Sequence, residues 1–208
     1  MRRDYRPLPR AFFARDAESV AQELLGAYLV SDCGGSRCVG RIVETEAYPG
    51  PHDPASHAAA SIGRTPRNDP MWGPPGTAYI HLNYGMHWCL NVVVGREGYP
   101  AAVLLRALEP IEGLEVMRER RPGRPDRELT SGPARLTRAL AIGPERQRHS
   151  LREPPLFVAR GEPVPRGEVG RSRRIGINRG EDKPWRYYDS RSAYVSRARP
   201  GQRGRRRT

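Results

Sequence analysis

The sequence predicts a single α+β domain, and three observations carry that reading. Its 208 residues suffice for one domain with a sizeable core. Hydrophobic residues make up 37%, an ordinary globular value once the 22 glycines are added, which excludes a disordered or collagen-like chain. Strand-like runs joined by short turns are interleaved with runs of helical spacing. Twenty-one prolines beside the glycines predict many loops.

The elements follow in chain order. Residues 1–10 read as a basic arm. Asp16 can cap a helix over 17–25, whose Ala17, Val20, Ala21, Leu24 and Leu25 form a buried stripe, with Gly26 as its stop. AYLVS (27–31) and VGRIVETEAY (39–48) read as strands of a hairpin turning near Gly34-Gly35. Residues 49–76 form a long loop, the kind that often carries function. Inside it, Asp53-Pro54 signals a short helix over 54–60 bearing His57. TAYIHL (77–82) and MHWCLNVVV (86–94) form a second hairpin with a tight Asn83-Tyr84-Gly85 turn, followed by a strand AAVLLRAL (101–108). Helices are predicted over 112–121 and 132–141, the second started by Ser131. LFVAR (156–160), RRIGI (173–177) and WRYYD (185–189) read as short strands, and the last dozen residues as disordered.

Charge is unevenly placed. The net charge is +13, and much of it sits at the ends: residues 196–208 hold six arginines and no acid. Residues 16–117 carry twelve acids against six bases, whereas 118–152 carry ten arginines against four acids. Basic arms and one basic segment could hold a polyanion, or they could simply be solvated. No apolar run approaches the ~20 residues that span a bilayer, and none follows the basic N-terminus as a signal peptide would. Three cysteines, Cys33, Cys38 and Cys89, argue for a reducing compartment, and a cytoplasmic location is expected.

The strand 39–48 is the most informative piece. Even alternation places Ile42, Glu44, Glu46 and Tyr48 on one face. Two carboxylates and a ring there fit a solvated face or a glutamate–arginine pair; they equally fit a general base beside a stacking platform. Arg106, inside an apolar strand, needs a buried partner, and Glu46 is the natural one. Tyr84, at the predicted hairpin tip, is either surface packing or a wedge that replaces a base in a stack. His52 and His57 are five residues apart and do not align as metal ligands, and no HExxH is present. No GxSxG elbow, Walker A loop or GxGxxG after a strand occurs. Lys183, the sole lysine, lies in a polar stretch and makes a poor Schiff-base nucleophile.

The run RIVETEAYPGPHDPASHA (41–58) resembles the signature of the alkyladenine (3-methyladenine, methylpurine) DNA glycosylases. So do RTPRN (64–68), PGTAYIHLNYGMHWCLNVV (75–93), VLLRALEPIEGLEVMR (103–118), LTSGPARLTRALAI (129–142) and RIGI (174–177). The resemblance implies a curved antiparallel β-sheet flanked by helices, with a protruding β-hairpin for the DNA minor groove. It implies a base-excision-repair enzyme that flips alkylated or deaminated purines out of duplex DNA and hydrolyses their N-glycosidic bond. The substrate class is that of 3-methyladenine, 7-methylguanine, hypoxanthine and ethenoadenine. Glu46 matches the general base and Arg106 an arginine holding the attacking water, with the Ile175 carbonyl as a third water ligand. Tyr48 and His57 match residues lining the flipped base, Tyr84 the residue filling the gap it leaves, and Asn91 an asparagine that disfavours the 2-amino group of guanine. His81 stands where the family carries an aromatic stacking residue, typically tyrosine. The implied organisation is a basic arm (1–10), a glycosylase domain (11–196) and an Arg-rich tail (197–208). The expected partner is damaged double-stranded DNA, with no membrane, no metal and no cofactor, and with the protein acting as a monomer. The competing readings are a non-enzymatic nucleic-acid-binding protein and a hydrolase of small nucleosides.

Overall fold

The structure, a computed structural model, describes residues 4–197. The first three residues and the tail beyond Arg197 lie outside it. Two short helices, α1 (Arg10–Phe13) and α2 (Ala17–Glu23), lead into β1 (Tyr28–Ser31) and the long β2 (Cys38–Tyr48). Asp16 caps α2 as predicted, its carboxylate accepting from the Ser19 amide at 2.8 Å. Gly26 ends the segment at φ +90°, where a Cβ would lie 1.9 Å from the Glu162 carbonyl oxygen, so only glycine fits. Residues 4–10 run along the sheet instead of standing free: the Leu8 amide donates to Val158 at 2.9 Å, and the Tyr5 hydroxyl to Glu112 at 2.6 Å.

The helix expected over 54–60 does not form. Residues 51–62 fold as successive turns closed by the Ala60 amide on the Pro51 carbonyl, and the Asp53 carboxylate is drawn into an ion pair with Arg174. The next hairpin, β3 (Ala78–Asn83) and β4 (His87–Val94), turns through Tyr84 at φ 50° and Gly85 at φ 68°. Strand β5 (Ala101–Glu112) runs four residues past its expected end. The following helix, α3 (Leu114–Arg120), therefore starts only after Gly113. A one-turn helix, α4 (Asp126–Leu129), precedes α5 (Pro133–Ala139). Ser131 does not cap α5; Gly132 holds the cap position and the Ser131 hydroxyl accepts from Arg135. The chain ends in β6 (Arg152–Glu153), β7 (Leu156–Ala159), β8 (Val169–Ser172) and β9 (Arg186–Asp189). RRIGI is not a strand: β8 stops at Ser172, and 173–177 leave the sheet through a turn with Gly176 at φ +76°.

The strands form one curved antiparallel sheet in the order β3-β4-β5-β2-β1-β7-β6, with β9 pairing β2 and β8. β2 is its spine. One edge pairs along β5; the other is shared, residues 38–41 with β1 and residues 44–46 with β9. The core gathers Phe13, Leu25, Leu29, Ile42, Leu105 and Leu108 between the sheet and the helices. Thr45 ties β2 to α2 by donating to the Ala21 carbonyl at 2.7 Å.

The register of β2 on β5 slips three times, once between Val39 and Gly40 and twice around Glu44. Ile42 faces Leu108, Glu44 faces Ala107, and Thr45 faces Leu105, so Val43 and Arg106 are each one residue extra. Such bulges re-aim side chains beside functional sites. Even alternation put Ile42 with the glutamates; the bulge at Val43 sends it into the apolar core with Ala47, while Glu44 and Glu46 meet Arg106.

Candidate active site

Glu44 and Glu46 are both fully buried, and a buried carboxylate is tolerated only with partners. Glu44 is saturated. It accepts from Arg106 Nε at 2.9 Å, Arg186 Nε at 2.7 Å, and the Ser196 hydroxyl and amide at 2.8 and 2.6 Å. Burial alone would raise its pKa, but the two guanidiniums outweigh that and hold it below the ordinary carboxylate range. Glu46 has fewer partners. Its Oε1 accepts from the Ile175 amide at 2.7 Å and lies 3.2 Å from Arg106 Nη1, and its Oε2 accepts from the Tyr48 hydroxyl at 2.9 Å. A carboxylate offers about four acceptor positions, so three donors leave room for one more, such as a water.

Arg106 bridges the two glutamates. Burial works against its charge, but Glu46 and Glu44 overcome this and keep the guanidinium protonated. The sequence points to a carboxylate such as Glu46 as the partner of Arg106; Arg106 pairs with Glu46 and also with Glu44, whose hydrogen bonds are the more numerous. For Ile175 it is the backbone N–H that reaches Glu46.

In front of this cluster opens a cavity of about 540 Å³, within the ~300–1,000 Å³ range of small-molecule sites. Tyr48, Arg106 and Ile175, the three partners of Glu46, line it together with His57, Tyr79, His81 and Asn91, while the fully buried Glu46 lies behind that lining. The rings brace one another. His57 Nδ1 lies 2.8 Å from the Tyr79 hydroxyl, and the His57 and His81 rings stand edge to face with centroids 4.5 Å apart. Burial lowers the pKa of both histidines, that of His81 to about 3, so both are neutral near pH 7. Burial and the Glu46 charge push the Tyr48 phenol well up, which keeps it a hydrogen-bond donor.

Tyr48 has a second support that the sequence reading missed. The Arg174 guanidinium lies 4.6 Å from the Tyr48 ring centre and 4.9 Å from that of Trp185, and Arg174 donates to the Ala47 carbonyl at 3.0 Å. Its charge is met by Asp53, equally buried. Arg174 thus ties the segment carrying Ile175 to the start of the loop carrying His57. Arg186 was also missed. The available signal was the one that marked Arg106: an arginine among apolar or aromatic neighbours, here Trp185 and Tyr187.

Tyr84 lies at the mouth of the cavity and at the tip of the β3–β4 hairpin, 76% exposed, beside Met86 at 73%. Arg67 braces the hairpin by donating to the Leu82 carbonyl at 3.0 Å. Among the described residues, no three His, Cys, Asp or Glu side chains gather where they could hold a metal ion, and no helix is long and apolar enough to cross a membrane.

Residues 11–193 match the family model described as methylpurine-DNA glycosylase. A protein of Carboxydothermus hydrogenoformans is 48% identical over 191 residues, covering 91% of this chain and 98% of that protein. Relatives in Salinibacter ruber and Myxococcus xanthus are 46% and 47% identical, covering 93% of this chain and 98% and 95% of their own lengths. All three carry the name "putative 3-methyladenine DNA glycosylase".

Proposed function

The chain belongs to the methylpurine-DNA glycosylase family, and from that premise we propose that it excises alkylated and deaminated purines from duplex DNA with a water activated by Glu46. The observation that carries this reading is the convergence on Glu46 of Arg106, Tyr48 and the Ile175 amide at the floor of a base-sized cavity. A flipped purine enters the cavity with Tyr48 and His57 lining one side of it and His81 offering a ring to stack on. Its sugar carbon then faces the floor. The water takes the remaining acceptor position on Glu46, loses its proton to that carboxylate and attacks as the base departs. Positioned general-base help of this kind is worth ~10²–10⁴-fold.

A cationic base such as 3-methyladenine or 7-methylguanine is already a good leaving group. Neutral histidines in the wall accept that cation without repulsion. Extrusion costs about a few kcal/mol, least at damaged or mispaired bases. Tyr84 fills the gap at the hairpin tip, and stacking in the cavity at ~1–3 kcal/mol per base offsets the rest. The arginines of residues 118–152 contact phosphates, so binding weakens with salt. The enzyme works as a monomer on damaged double-stranded DNA in the cytoplasm, its own side chains supplying the base and the water-holding groups.

The test is Glu46→Gln on a duplex with one alkylated purine. Base release should fall at least ~10²-fold while lesion-DNA binding persists. Near-normal release would refute the assignment.

A further inference from the structure

Glu44 and Glu46 divide the Arg106 guanidinium between them. Arg106 gives Glu44 its Nε at 2.9 Å and lies with Nη1 3.2 Å from Glu46. Elsewhere in the molecule an arginine beside a carboxylate engages both of its oxygens: Arg37 does so on Asp32, Arg118 on Asp126 and Arg174 on Asp53. That fork is the favoured geometry of the pair, because two parallel N–H groups match two carboxylate oxygens. On Glu44 the second oxygen is already taken. Its Oε2 accepts the Ser196 amide at 2.6 Å, and the Ser196 hydroxyl and Arg186 Nε join Arg106 on Oε1 at 2.8 and 2.7 Å. Ser196 is buried and lies outside the strands and helices, so its N–H serves no ladder. Arg186 holds it there, with Nη2 on the Ser196 carbonyl at 3.3 Å and Nη1 on the Ser172 hydroxyl at 2.8 Å.

We infer that Ser196 is a positioning residue for base excision: by occupying Oε2 of Glu44 it keeps Glu44 from closing a fork on Arg106, and so leaves the Nη groups of Arg106 to Glu46 and to the cavity that Arg106 lines. The division is otherwise unequal. The contact of Arg106 with Glu46 is the longer of its two, and Glu46 is also held by the Tyr48 hydroxyl and the Ile175 amide. Without the Ser196 donors, Oε2 of Glu44 becomes a buried anionic oxygen that has lost its partner, a state too costly to persist. Glu44 can relieve it by turning so that both oxygens accept from Arg106, one from Nε and one from an Nη. The guanidinium must then re-aim toward Glu44, away from the geometry that serves Glu46. Ser196 stands outside the cavity lining, so it acts only through Glu44 and Arg106.

This inference rests on the glycosylase reading for its effect on rate, while its geometry can be tested apart from that reading. Ser196→Pro removes the amide hydrogen and the hydroxyl together. On a duplex with one alkylated purine, its single-turnover release should fall by roughly 10- to 100-fold, the effect of slightly misplacing a group at the site. Its Kd for the same duplex should stay at the wild-type value. Ser196→Thr keeps both donors and should release the base at the wild-type rate. If circular dichroism shows that the proline variant does not fold, Ser196→Ala, which loses only the hydroxyl, should slow release by about two- to tenfold. A merely structural role would weaken DNA binding along with the rate; that pattern, or an unchanged rate, overturns the inference. A crystal structure of the variant that folds reads the switch without chemistry. It should show Glu44 drawn toward a second nitrogen of Arg106, and an unmoved pair overturns this inference alone. A wild type that releases no base, with the moved pair seen in the variant, would sink the glycosylase reading and leave this one standing.

Discussion

The two faces of the β2–β5 ribbon are built by opposite rules. One face carries Ile42, Ala47, Leu105 and Leu108 into the apolar core under α2. The other carries Glu44, Glu46 and Arg106, all buried, and draws in Arg186 from β9. The apolar face is stabilised by burial, at ~25 cal/mol per Å². The charged face stands only because nearly every charge has a counter-charge at hydrogen-bond distance, and such buried pairs add little net stability. The lesson is that this second face holds together only as a set. Its stability is conditional on every member being present.

That contrast can be broken most sharply at Arg106. Arg106→Met leaves Glu46 without its cation and Glu44 with one guanidinium fewer. It should cost about 3–5 kcal/mol in chemical denaturation and abolish base release. Leu105→Ala, on the opposite face of the same strand, should cost about 2–5 kcal/mol by opening a cavity in the core. Catalytic turnover per folded molecule should survive it; loss of turnover in the folded fraction would mean that the faces are not separable.

Acid should distinguish the faces next. His81 is held neutral, its pKa lowered to about 3 by burial, so the unfolded chain binds more protons below about pH 6.5. Stability should therefore decline as pH falls from there, and His81→Phe should flatten that slope in urea midpoints. Glu44 adds a second, lower window. Its depressed pKa gives stability that is present above the unfolded value near 4.5 and lost as pH falls through the folded value. Glu44→Gln should remove that lower decline.

The smallest stability effect belongs to the hairpin tip. Tyr84→Ala should change the unfolding free energy by less than about 0.5 kcal/mol, because Tyr84 is exposed. It should still slow excision of a well-paired lesion, and unchanged excision would count against the wedge.

How much of this was legible in the sequence follows from what is local. The cap at Asp16, both hairpins and the strand holding Arg106 were readable, because periodicity and turn residues act within a few positions. The grouping of Glu46, Tyr48 and Arg106 was readable because a charge in an apolar run demands a partner. The bulges at Val43 and Arg106 were not, since a slip in register leaves no mark in composition; Ile42 was therefore assigned to the wrong face. The helix at 54–60 and the strand at 173–177 were misread on either side of one long-range contact, the pairing of Asp53 with Arg174 across 121 residues, which local signals do not register. The clamp of Arg186 and Ser196 on Glu44 is equally long-range.

That clamp also sets an order of assembly during synthesis. The carboxylate at position 44 emerges from the ribosome 142 residues ahead of Arg186 and 152 ahead of Ser196, which close around it. Until they arrive, the nascent polypeptide holds a half-neutralised acid on an open strand edge. The site is completed only once both have been translated.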